Sequence, residues 1–211
     1  TKSARTRLLI ERLPYHLIKF YRQRRATSEP LALITVLNTE GSTYSKAGSQ
    51  MLVDSTGDFQ GMLSGGCLEG DLAERSRKIM TNGMAEIVTY DLRGDDDVFG
   101  LGVGCEGALR IYIQPLSAES NYEPFDGLIR QLDDAAFVEF TLADGSNEVG
   151  VAKIHAPLRL LILGAGIDAK PLVLFADELG WQVSLSDHRP AAIERMGSCP
   201  ADAIECVPVA D

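Results

Sequence analysis

The sequence predicts an α/β protein: a mixed α+β N-terminal domain followed by the start of a Rossmann-like, doubly wound parallel domain. Three observations carry that prediction. Short apolar runs rich in β-branched residues alternate with helix-period stretches through the first 155 residues. The texture then changes after Pro157, where Leu158 to Leu163 is a near-continuous apolar run of the kind a strand buried in a parallel sheet requires. A glycine turn, Gly164-x-Gly166-x-x-Ala169, follows that run at once. The expected domains are residues 1–155 and 156–211.

Taken in order, residues 4–26 place Leu8, Leu9, Leu13, Leu17, Ile18 and Tyr21 near helical spacing, which predicts a helix started or interrupted by Pro14. Leu31 to Leu37, bounded by Pro30 and Asn38, reads as a buried strand. Gln50 to Val53 and Phe59 to Leu63 flank a glycine-containing loop and read as a hairpin. A helix is expected from about Leu68 to Met80, closed by Asn82 and Gly83. Ala85 to Tyr90 and Leu109 to Ile113 read as strands. The loop between them, from Asp91 to Gly107, is long enough to suggest a function. A short helix over Leu128 to Leu132 precedes a hairpin of Phe137 to Leu142 and Val149 to Ile154. Beyond Pro157 come a strand, a helix ending at Leu179 and capped by Gly180, and a strand from Trp181 to Ser186, making one β-α-β unit followed by a short tail.

Composition narrows the function classes. With 20 basic and 30 acidic residues the formal charge is −10, which argues against nucleic-acid binding, a task that needs a basic face. The longest uncharged stretches have ten residues (Pro30 to Thr39 and Phe59 to Leu68), and a membrane helix needs about 20. The start of the chain has no secretory pattern. The four cysteines, at 67, 105, 199 and 206, form no CxxC pair. Reduced thiols and a cytoplasmic location are therefore expected. His16, His155 and His188 are scattered and read as ordinary structural residues.

The C-terminal motif has a mechanism. Gly164 permits the turn, Gly166 lets the backbone approach a pyrophosphate, and Ala169 allows close helix–strand packing. The helix N-terminus favours phosphate. Asp187, 21 residues after Gly166, would accept from a ribose. NAD(P) or another nucleotide is the cofactor this motif implies. A turn kept for geometry alone is the other reading. Asp168 would stand near any phosphate, and Arg189 could meet a 2′-phosphate or pair with a carboxylate.

In the N-terminal domain, Ser64-Gly65-Gly66-Cys67-Leu68-Glu69 opens a helix. Another loop, Gly100 to Gly107, carries Cys105, and the loop that comes first in the chain, Glu40 to Gly48, supplies hydroxyls and Lys46. Glycine admits a ligand close to the backbone. A helix N-terminus stabilises thiolate, a soft metal ligand. On pattern alone burial is the favoured reading for Cys67 as well as for Cys199 and Cys206, and it competes at Cys105, where the glycine-rich loop counts against it. Glu69 is either a helix-dipole carboxylate or a general base.

Gly41 to Gly48, Met51-Leu52-Val53, Gly61-x-x-Ser64-Gly65-Gly66-Cys67-Leu68-Glu69 and Gly102-x-Gly104-Cys105-x-Gly107 together resemble the XdhC/CoxI family. The similarity continues into the Rossmann segment through Asp187 to Arg189. Family members are accessory factors of xanthine dehydrogenase and related molybdenum hydroxylases. The resemblance implies binding and protection of the molybdenum cofactor (molybdopterin), help with its sulfuration by a cysteine desulfurase, and insertion into the apo molybdenum hydroxylase. By position, Cys67 is the candidate contact to molybdenum, Ser64, Gly65, Gly66 and Glu69 form its setting, and Cys105 is the second thiol. Two places depart from the family pattern. Glu106 adds a charged side chain beside Cys105, and Tyr44 and Lys46 stand where Pro and Arg are usual, so the charge is kept without the forked geometry.

These readings favour a cofactor chaperone over a turnover enzyme, with a nucleotide-dependent oxidoreductase using Gly164, Gly166 and Asp187 as the alternative. A truncated parallel sheet favours a homodimer, because bare sheet edges tend to be covered. The absent initiator methionine and the partial Rossmann segment suggest a portion of something longer.

Overall fold

The computed structural model describes residues 10–93, 107–144 and 147–207. In chain order the elements are β1 (Ile10–Arg12), α1 (Tyr15–Ala26), β2 (Leu31–Gly41), β3 (Gln50–Asp54), β4 (Phe59–Gln60), α2 (Glu69–Asn82), β5 (Glu86–Asp91), β6 (Gly107–Leu116), α3 (Phe125–Asp134), β7 (Phe137–Asp144), β8 (Asn147–His155), β9 (Arg159–Leu163), α4 (Ala169–Glu178), β10 (Gln182–Asp187), α5 (Pro190–Met196) and β11 (Ala203–Cys206). They form two compact units. The first takes the described residues up to Leu13 and from Lys19 to Ala156; the second takes Pro14–Ile18 and the described residues from Pro157 onward.

The first unit is built on a five-stranded sheet of order β4-β3-β2-β6-β5, antiparallel throughout. β2 is central because Leu31 to Leu37 is apolar on both faces, apart from Thr35, and every one of these residues is buried. α2 covers one face. Leu72, Ala73 and Ile79 recur at helical spacing and pack on Ala32, Ile34 and Val36 of β2, Met51 and Val53 of β3, and Leu109, Ile111 and Ile113 of β6. Gly83 ends α2 in the left-handed region (φ 71°), its N–H donating to Ile79 O at 2.9 Å. The register of β2 against β6 shifts between Val36 and Asn38, and beyond the shift Gly41 pairs with Gly107. Gly107 has a steric reason: a Cβ there would lie 2.5 Å from Ser42 O and 2.6 Å from Glu40 O.

A second sheet of order β1-β8-β7 completes this unit. Tyr112 of β6 reaches it, its hydroxyl donating to Ala143 O at 2.6 Å. α1 and α3 meet through Tyr21, whose ring stands edge-on to Phe125 and whose hydroxyl donates to Asp126 Oδ1 at 2.6 Å. Of the two expected forms of the helix over residues 4–26, the structure has the one started by Pro14: α1 begins at Tyr15. The stretch before the proline is corrected, since Ile10–Arg12 is a strand parallel to β8. Three residues are too few to show a period, so the helical spacing of their neighbours absorbs them. The expected strand Phe59 to Leu63 shortens to two residues because the chain leaves the sheet at Gly61.

In the second unit β9, β10 and β11 are all parallel, in the order β11-β10-β9, with α4 and α5 as crossovers. Val173 and Ala176 of α4 and Ala192 and Met196 of α5 pack on Val183 and Leu185 of β10. The expected short tail is thus a second α-β step. Pro190 sets the first turn of α5, where its missing N–H costs nothing. Cys199 is buried in this core, as expected, whereas Cys206 at the end of β11 is exposed.

Candidate functional site

The turn between β4 and α2 holds the Ser64 to Glu69 block. Gly65 (φ 74°) and Gly66 (φ 110°) occupy backbone conformations that side chains resist, so the turn needs glycine at both positions. Both glycines are exposed. A Cβ on Gly66 would meet nothing within 4 Å, so its face is open to approach. Cys67 follows, half-buried, its inner side against the α2–sheet core.

Glu69 faces the other way. It is 3% exposed and serves the turn from within. Its Oε1 accepts from the N–H groups of Leu63 and Ser64, both at 2.8 Å. Its Oε2 accepts from Gly66 N–H at 2.9 Å and from the Ser64 hydroxyl. Ser64 Oγ in turn accepts from Leu68 N–H at 2.7 Å, closing the last loop amide before α2. Burial pushes the Glu69 carboxyl up, but these donors outweigh it and hold the group below the usual glutamate range. Glu69 and Ser64 therefore act on the loop, and the amides of Leu63, Ser64, Gly66 and Leu68 are already engaged. The Gly65 and Cys67 amides take no part in this network.

The first loop, Gly41 to Gly48, lies against this turn. Ser45 donates from its hydroxyl to Leu63 O at 2.7 Å. Tyr44, 61% exposed, sets its ring 3.2 Å from where a Gly65 Cβ would stand. Lys46 is exposed at the surface of the same loop. Gly107 at the start of β6 lies against Ser42 and Thr43. The structure thus joins the first loop, the Cys67 turn and the end of the Cys105 loop. Cys105 and Glu106 lie outside the described residues. The placement of Tyr44 and Ser45 is not legible in the sequence, since nothing local signals a contact across about 20 residues. Among the described residues no group of three or more His, Cys, Asp and Glu side chains could hold a metal ion.

In the second unit the structure brings Gly164, Gly166 and Asp187 together, in an arrangement that occupies the carboxylate. Gly164 turns at φ 113°. Asp187 Oδ2 accepts from Ala165 N–H at 2.7 Å and from Arg189 Nη2 at 2.8 Å; Oδ1 accepts from Arg189 N–H at 2.7 Å and Nε at 3.0 Å. Arg189 and these amides hold the Asp187 carboxyl far below the usual aspartate range. Arg189 therefore pairs with a carboxylate, and a ribose would have to displace it. Asp168 Oδ1 stands 2.6 Å from where a Gly166 Cβ would be, so a carboxylate lies against the second glycine of the turn.

Together these features define a two-unit α/β protein that presents a glycine-flanked thiol at the rim of an antiparallel sheet. Residues 24–91, which contain the first loop and the Cys67 turn, match the model of the XdhC and CoxI family. A probable xanthine dehydrogenase subunit of Bacillus subtilis (strain 168) is 27% identical over 204 aligned residues, covering 77% of this chain and 61% of that relative. The chain thus spans about three fifths of that relative's length. A crystal structure described as a xanthine dehydrogenase from Bacillus halodurans superposes with a TM-score of 0.70 at 27% identity, covering 90% of this chain and 68% of that one. Among the described residues no helix is long and apolar enough to cross a membrane.

Proposed function

We propose that this chain is an accessory factor of a xanthine dehydrogenase-type molybdenum hydroxylase. It holds the molybdenum cofactor at the Cys67 turn, shields it, takes part with a cysteine desulfurase in its sulfuration, and passes it to the apo-enzyme. Its role is that of a cofactor chaperone, not a turnover catalyst. The observation that carries this reading is the half-buried Cys67 on an open glycine face, inside the segment that matches the family. The names of the two relatives, both referring to xanthine dehydrogenase, support the choice of client.

The residues present fit such a group in kind. Cys67 is a soft donor suited to molybdenum. The bare backbone at Gly65 and Gly66 lets a flat ring system approach, and Tyr44 offers an aromatic edge beside it. The exposed Lys46 supplies a cation for a phosphate. When bound, the cofactor supplies the metal centre that the client enzyme uses. The chain's own residues orient it: the Glu69 network fixes the turn, and the sheet beneath Cys67 keeps water from the inner side of the thiol.

Cys67→Ala should lose cofactor retention while the fold stays intact. The check is molybdenum content and pterin fluorescence of protein purified from cofactor-producing cells, with circular dichroism alongside. Equal molybdenum and pterin in the variant and the parent would overturn the role of Cys67.

A further inference from the structure

We propose that Glu69 is the positioning residue of the Cys67 turn: a built-in anion that fixes Gly66, and through it the neighbouring thiol, in the presented conformation before any ligand arrives. This rests on the reading of Cys67 as the cofactor contact. Two consecutive glycines have the greatest backbone freedom of any dipeptide and lose the most on ordering. Gly65 and Gly66 have no side chains that could hold them. Their restraint is the buried carboxylate, which gathers Leu63, Ser64 and Gly66 by their N–H groups and Ser64 also by its hydroxyl. A loop of this kind at a helix start commonly gathers its amides around a ligand's anion. Here Glu69 provides the anion, so the ligand's phosphate is directed away from the inner amides and toward the outer face of the turn.

The two oxygens divide the work, and that makes the proposal testable. Oε1 anchors the incoming backbone at Leu63 and Ser64, whereas Oε2 alone holds Gly66. In Glu69→Gln one oxygen can keep the Leu63 and Ser64 bonds, but an amide NH₂ then faces the Gly66 N–H, donor against donor. The variant releases the Gly66–Cys67 end while the other end stays tied.

The experiment uses the full chain without cofactor. Amide hydrogen exchange followed by NMR should show Gly66 exchanging at least about tenfold faster in Glu69→Gln, the scale of one lost charge-assisted hydrogen bond, with Leu63 and Ser64 nearly unchanged. Alkylation of Cys67, read by peptide mass mapping so that the other cysteines do not interfere, should change rate in the same variant. A Gly66 exchange rate or a Cys67 alkylation rate equal to the parent's would overturn the proposal, as would equal acceleration at Leu63, Ser64 and Gly66. If Glu69→Gln does not fold, Glu69→Asp decides. Its side chain is one methylene shorter and cannot span from Leu63 to Gly66, so Gly66 must again exchange faster than in the parent, and a parental Gly66 rate overturns the proposal. Neither readout uses the cofactor, so failure of the Cys67→Ala retention test and failure of the Glu69 test are told apart.

Discussion

At Asp187 the turn amide of Ala165 and the guanidinium of Arg189 share one pair of carboxylate oxygens, at 2.7 and 2.8 Å on the same Oδ2. The side chain is 1% exposed, so these donors replace water entirely. Because the folded carboxyl is held below its ordinary value of 3.8, the stability it contributes is fully present above that pH and is lost as pH falls toward the folded value. Asp187→Asn removes that contribution at every pH. Its melting temperature should lie below the parent's at neutral pH, and the gap should narrow steadily as both are melted down to about pH 2. A gap that stays constant across that range would mean that the carboxylate's charge is not what holds the turn. The sequence places both Asp187 and Glu69 beside glycine turns correctly, but it cannot say which way either carboxylate points. A carboxylate aimed outward reads a ligand and one aimed inward replaces it. The choice depends on where three or four backbone N–H groups converge, which the one-dimensional pattern does not contain.

The same limit recurs one level up, where element length decides what is legible. β2, α2 and the β7–β8 hairpin are readable because each is long enough to show its pattern, a continuous apolar run bounded by Pro30 and Asn38 in β2 and apolar recurrence in α2 and the hairpin. β1 with three residues and β11 with four are not, and α5 has only two turns. Their places are set by partners far along the chain, Lys153 to His155 for β1 and Ser184 to Asp187 for β11. β6 also begins two residues before the apolar run that marks it, at Gly107, because its pairing with β2 continues through residues chosen for space and not for hydrophobicity. That extension brings the end of the Cys105 loop against the first loop. Gly107→Ala places a methyl within 2.6 Å of two backbone oxygens and a Thr43 methyl, none of which can yield without moving β2 or the loop. A cost of about 1–3 kcal/mol is expected, typical of overpacking. The loss should appear as a lower urea midpoint with faster amide exchange at Gly41 and Ala108. An unchanged midpoint would show that the β2–β6 end has slack that the geometry does not suggest.

For the whole molecule, the texture change at Pro157 reports where the parallel unit begins, but not that this unit also takes in Pro14–Ile18. The association runs through Gly180, 165 residues from Tyr15, and no local pattern records a contact at that separation. Tyr15 N–H donates to Gly180 O at 2.7 Å. Gly180 sits at φ 71°, and a Cβ there would lie 2.8 Å from Pro14 Cβ and 3.1 Å from the His16 ring. The sequence marks this glycine as a helix cap, and its left-handed backbone fits that role. The structure adds that the cap is also a seat for the segment entering α1. In Gly180→Ala the left-handed conformation alone costs about 1–2 kcal/mol, and the methyl group crowds Pro14 as well. Exchange of the Tyr15 amide should therefore accelerate by about tenfold or more, together with the amides of β9, β10 and β11. The amides of β2 and β6 should keep their parental rates, because their hydrogen bonds lie in the five-stranded sheet. If β2 and β6 accelerate equally, the two units unfold as one cooperative block. If Tyr15 alone is spared, Pro14–Ile18 is held by α1 and not by the Gly180 turn.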